Sequence, residues 1–134
     1  MFQLHPRLAA DTRDVTRLTL CRVLLMNDRR FPWLILVPER ADIREIHQLS
    51  AADRALLVEE IAQVAQAMER FHRADKMNVA ALGNMVPQLH VHVIARFTTD
   101  PAWPNPVWGK GSAEAYDQKQ IDKIVATVKR ELAV

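Results

Sequence analysis

Gln88-Leu89-His90-Val91-His92-Val93-Ile94-Ala95-Arg96 is the stretch whose reading decides the fold. Leu89, Val91 and Val93 alternate with Gln88, His90 and His92, the period of two that sends successive side chains to opposite faces of a β-strand. One face is apolar and needs a core, while the other carries an amide and a pair of imidazoles. Gly83 and Asn84 mark a loop ahead of the strand, and Pro87 withholds a backbone donor where pairing would start. Imidazoles that project the same way from a rigid strand can bind a metal, shuttle protons or attack an electrophile, because an unperturbed pKa of about 6.5 keeps a neutral nitrogen available near pH 7. Spacing alone does not choose among the three.

Upstream, Met77-Asn78-Val79-Ala80-Ala81-Leu82 reads as a strand that pairs with the histidine strand through the Gly83–Pro87 loop. Thr19 to Met26 and Trp33 to Val37 read as two more, joined by the Asn27-Asp28-Arg29-Arg30 turn into an antiparallel hairpin; the second is apolar throughout, which implies burial on both faces. Between them and the third strand lies the best helix, Ser50 to His72. Ser50 and Asp53 have capping-box spacing, and Leu56, Leu57, Glu60, Ile61, Val64, Ala65, Met68 and Phe71 form a stripe at helical period that would cover the sheet. His47 and His72 flank it as residues that complement the helix ends. Met1 to Asp14 reads as irregular or helical, with Pro6 in a first turn and Asp11 and Asp14 as candidate caps. A last helix from about Ser112 to Leu132 carries Ile121, Ile124, Val125 and Val128 on one stripe. The intervening Thr98–Gly109 stretch is rich in Pro and Trp, and Trp103 and Trp108 are too costly to leave in water, so the segment packs against the fold or a partner.

At 134 residues the chain is read as one domain, 1–134, large enough to bury a core without staples. A formal charge of +2 with Lys and Arg scattered among acids argues against a nucleic-acid surface and accommodates a small anionic ligand. The lone Cys21 lies in an apolar run and reads as a buried small hydrophobe, with no intramolecular disulfide possible. No apolar stretch approaches the roughly 20 residues of a membrane span and the first residues lack a signal peptide's pattern, so the expected compartment is the cytoplasm, with no membrane partner.

The stretch Gln88-Leu89-His90-Val91-His92-Val93-Ile94 resembles the signature of the histidine triad (HIT) superfamily of nucleotide hydrolases and transferases, His-φ-His-φ-His-φ-φ with φ apolar, with Gln88 in the first histidine's position. A register placing His90 first would put Ile94 at a phosphate-handling position; the pair Val93-Ile94 and the later Arg96 favour the former. The resemblance spans about Leu20 to Arg96. It implies an α+β, HIT-like fold: an antiparallel sheet of about five strands, one long helix packed across it, and a C-terminal helix. It further implies a homodimer, a purine nucleoside phosphate as ligand, no cofactor, and attack by His90 on the α-phosphate to give a nucleotidyl-histidine that water cleaves. His92 would donate to a phosphate oxygen. Gln88 can hydrogen-bond but cannot titrate near pH 7, which would remove any proton transfer at that position. Asn27 and Asn78 match positions that contact ribose and phosphate in the family, and Asn84 matches a polar residue of the phosphate loop. Met85 stands where relatives carry a small hydroxyl residue. Trp33 could stack on a base and Leu25 and Leu36 wall its pocket, but core packing is the preferred reading for all three.

Rival readings stay open. The chain could be a non-catalytic nucleotide-binding or regulatory module that lost chemistry through Gln88. Alternatively, His90 and His92 with a carboxylate or His47 could form a metal site, for which three protein ligands are typical.

Overall fold

The computed structural model describes residues 1–133; Val134, the last residue of the expected 1–134 domain, lies outside the described residues. Strands β1 (Thr12–Arg17), β2 (Cys21–Met26), β3 (Trp33–Pro38), β4 (Lys76–Ala80) and β5 (Val91–Arg96) form one antiparallel sheet in the order β1-β2-β3-β5-β4. Helices α1 (Pro6–Asp11), α2 (Ala51–His72) and α3 (Gln118–Glu131) and a 3₁₀ turn at Ile46–Gln48 complete the set. This is the expected α+β architecture, five strands with one long helix and a C-terminal helix.

The sheet separates two apolar clusters. Val23, Leu25, Leu34, Leu36, Val91 and Val93 meet Leu57, Val64 and Met68 of α2 on one side. Leu24, Trp33, Ile35, Val37 and Ile94 face the other side, where Leu8, Ala102 and Val107 close over them. The helix forms where its stripe demands: Ser50 accepts the Asp53 N–H at 3.1 Å and Arg73 ends it in the left-handed region. The Asp53 carboxylate pairs with Arg40 at 2.8 Å. Phe71, at the end of the expected stripe, is exposed. Glu60 is buried because it has work there, accepting the N–H groups of Leu20 and Cys21 at 2.9 Å each where β2 begins. Cys21 is fully buried, as expected, and burial followed by the nearby Glu60 carboxylate pushes its thiol well above the ordinary range.

Several boundaries differ from expectation for identifiable reasons. The histidine strand starts at Val91, not Gln88, because the Leu89 N–H donates to Ile43 of the loop after β3 and not to a strand. The β2 strand starts at Cys21, two residues late, and β4 runs Lys76–Ala80, ending before Ala81-Leu82. The last helix starts at Gln118, six residues after Ser112, because Asp117 and Gln120 form the capping box there. Residues 112–116 instead lie against the β2–β3 turn, where Arg29 N–H donates to Glu114 at 2.7 Å and Glu114 N–H to Asp28 at 3.3 Å. In the first segment Pro6 does open a helix, but the cap is His5; Asp11 is instead the helix's last residue, paired with Arg7, and Asp14 lies in β1, a strand absent from the sequence reading. Among the described residues no helix is long and apolar enough to cross a membrane.

Candidate functional site

The face of the sheet opposite α2 presents His92, Ile94 and Arg96 of β5, with His90 just before the strand. Register sets Ile35 and Ala80 on either side of His92, and Trp33 and Asn78 on either side of Ile94. His90 and His92 are 6% and 5% exposed, with ring centroids 4.9 Å apart. They therefore project to the same side, as their alternation requires.

The neighbours of each ring fix its tautomer. His90 Nδ1 lies 2.7 Å from the Gln88 carbonyl oxygen, which can only accept, so Nδ1 carries the proton and Nε2 keeps its lone pair. In His92 the polarity is reversed: the Trp33 indole, a donor only, gives its Nε1–H to His92 Nδ1 at 3.0 Å, so the proton sits on Nε2. Burial, reinforced by His90 beside it, lowers the His92 pKa to about 4, so near pH 7 it is a neutral ring that offers a hydrogen bond without being an acid. Trp108 meets the same ring edge-on at 5.0 Å and Trp33 at 5.9 Å. The Pro/Trp-rich segment thus packs on the fold, with the Trp108 indole beside His92 and the Trp103 indole under the Arg96 guanidinium at 5.8 Å.

A cavity of about 190 Å³ opens at His90, lined also by Gln88, Leu82, Gly83, Arg44 and His47. Gly83 sits at φ +77°, a backbone conformation that a Cβ disfavours, which lets the loop turn at the cavity wall. Arg44 and His47 reach it because the loop after β3 runs beside residues 88–90 through the Leu89–Ile43 bond. Sequence reasoning passed over Arg44 and gave His47 only a helix-end role or a place in a metal set; nothing local marks either, since a tertiary contact brings them in. Among the described residues, no group of three His, Cys, Asp or Glu side chains is placed to hold a metal ion.

The other expected residues fall as follows. The Gln88 side chain turns to the N-terminal segment, accepting from His5 N–H and donating to the Gln3 carbonyl, both at 2.8 Å. Asn27 accepts the Tyr116 N–H at 2.9 Å in the β2–β3 turn. Asn78 accepts from Arg96 Nη1 at 2.8 Å, on the site face. Asn84 is exposed in the bend after Gly83. Arg96 is 2% exposed and fully engaged by Asp100 at 2.7 and 3.0 Å, Asn78 and the Asn105 carbonyl, so it ties β5 to the Pro/Trp segment. Burial would raise the Asp100 carboxyl, but the guanidinium and the N–H groups of Phe97, Ala102 and Trp103 outweigh it and hold it at about 2. Trp33 is buried in the second cluster; Leu25 and Leu36 lie in the first, on the other side of the sheet, and so cannot wall a pocket at the histidines.

A family profile described as "HIT domain" matches residues 7–99. A histidine triad protein of known structure from Marinobacter aquaeolei is 50% identical, with a TM-score of 0.97 over 99% of this chain and 97% of that one. A histidine triad (HIT) protein from Sinorhizobium meliloti is 47% identical, with a TM-score of 0.96 over 98% and 97%. A hypothetical histidine triad nucleotide-binding protein from Sulfolobus tokodaii, 13% identical, shares the fold at a TM-score of 0.69 over 91% and 84%. No curated protein matches the chain.

Proposed function

Since the chain belongs to the HIT domain family, we propose that it is a nucleotide hydrolase or nucleotidyl transferase acting on nucleoside phosphate esters, anhydrides or phosphoramidates through a covalent nucleotidyl-His90. The observation that carries this is the pair of opposed tautomers: a bare Nε2 on His90 beside an Nε2–H on His92. A nucleophile and a fixed donor are what displacement at phosphorus asks of a protein, since such catalysis is mostly positioning and charge stabilisation. His90 Nε2 forms a bond to the α-phosphorus as the bond to the leaving group breaks, and the leaving group departs with that electron pair and is protonated from water. Water then attacks the same phosphorus and gives up a proton to the solvent, matching the one taken by the leaving group, while the N–P bond breaks and its electron pair returns to His90 as the lone pair on Nε2. His92 donates to a nonbridging oxygen in both steps.

Gln88, in the first position of the motif, contributes its carbonyl to His90. Asn27 and Asn78 commit their Oδ1 atoms within the fold and keep Nδ2 donors for ribose or phosphate, with Asn84 at the phosphate loop; Arg44 lies across the His90 cavity as a cation for an anionic ligand. The assembly we propose is a homodimer of this one domain. The test is a turnover assay with an adenosine or guanosine phosphoramidate, read beside intact-protein mass spectrometry after rapid acid quench. The nucleotidyl adduct and turnover should both vanish in H90A; turnover in H90A at the wild-type rate would overturn the mechanism. Calorimetry with AMP or GMP that shows binding without turnover by the wild type would favour the non-catalytic module.

A further inference from the structure

The Gln88 side chain bridges the Gln3 carbonyl and the His5 N–H, groups on the same edge of an extended segment because they are two residues apart. A residue in a parallel ladder bonds to its partner strand in the same pattern, one donor and one acceptor straddling a single residue. The amide thus substitutes for one missing strand residue and seats the N-terminal segment on the site face. Apolar contacts hold that segment elsewhere: Phe2 and Leu4 pack against the second cluster, and Phe2 lies under the Arg22 guanidinium at 5.4 Å. One residue therefore joins two functions, because the main-chain carbonyl of Gln88 is also the acceptor that holds His90 Nδ1–H at 2.7 Å.

The geometry points to Gln88 as a positioning residue: its side chain clasps residues 3–5, and the clasp fixes the carbonyl that keeps His90 Nε2 bare. This assignment rests on His90 being the nucleophile. It makes glutamine at this place a specific solution and not a degraded histidine. An imidazole has nitrogens that diverge from each other and cannot meet both Gln3 and His5, whereas a carboxylate would set an acceptor against the Gln3 carbonyl.

The test uses Q88E and Q88H in the full chain. The readouts are amide hydrogen exchange at His5, imidazole ¹⁵N shifts of His90, and kcat separately from KM. In both variants the His5 amide should exchange faster and the His90 shifts should move toward a mixture of tautomers. Here kcat should fall about tenfold or more with KM within about threefold, as expected when a reacting group is misplaced but ligand contacts stay. Unchanged His5 exchange and His90 shifts in Q88E would overturn the clasp. A Q88H variant faster than the wild type would equally overturn it, since the position would then serve proton transfer. The exchange and shift measurements do not depend on turnover, so they judge the clasp even if H90A shows that the nucleophile is misassigned.

Discussion

Acidification should destabilise this fold through His92 in particular. The ring is 5% exposed, accepts from the Trp33 indole and lies against His90, and its pKa is lowered by burial and by that neighbour to about 4. An unfolded-chain histidine titrates near 6.5, so below that pH the unfolded chain takes up a proton that the native ring refuses until pH approaches 4. Native stability is therefore intact above about pH 6.5 and is lost as pH falls through the window. With these two values, linkage gives a loss of about 2 kcal/mol between pH 7 and pH 5, and about 3 kcal/mol by pH 4. For a urea slope of roughly 1–3 kcal/mol/M, the midpoint should drop by about 1 M from pH 7 to pH 5. The control is H92N, which keeps an acceptor for the Trp33 N–H but does not titrate. His72, also lowered by burial, contributes in the same direction in both proteins and cancels in the difference. If wild type and H92N lose equal stability between pH 7 and pH 5, the native ring is not held neutral and the donor assignment for His92 fails.

Two further perturbations probe what holds the site. R96M leaves the Asp100 carboxylate buried without its guanidinium and should cost about 3–5 kcal/mol in urea unfolding, with R96M/D100N recovering part of it; a loss under about 1 kcal/mol would show that the three backbone N–H groups suffice for Asp100. E60L strips the buried Leu20 and Cys21 N–H groups of their acceptor and should cost about 2–4 kcal/mol by thermal or urea unfolding, a neutral result indicating that the start of β2 finds other partners.

What was legible in the sequence was whatever a strong period or a run of apolar residues imposed. The hairpin of β2 and β3, the long helix, and the two histidines sharing a face all follow from alternation or helical spacing, and each is in place. β1 was hidden because Thr12-Arg13-Asp14-Val15-Thr16-Arg17 is an edge strand that buries only Thr12 and Val15 and carries an irregularity between Asp14 and Thr16, so no alternating apolar pattern survives. The start of β5 was misread because Gln88 to His90 continue the alternation while the pairing passes to the loop at Ile43. Arg44 and the protons on the imidazoles had no local signature either. The first depends on where a loop lies, the second on a carbonyl and an indole that only the folded chain brings near.

Because the five-stranded sheet stands between the two apolar clusters, the molecule has a built-in partition. Behind it, α2 and α3 cover the strands; in front, the N-terminal segment and the Pro/Trp stretch close over the histidine face, held by Leu8, Ala102 and Val107 and by the buried Arg96–Asp100 pair. A substitution in front therefore touches two things at once, the room left at the imidazoles and the melting temperature, because the pair that anchors the covering stretch grows from the same strand as His92.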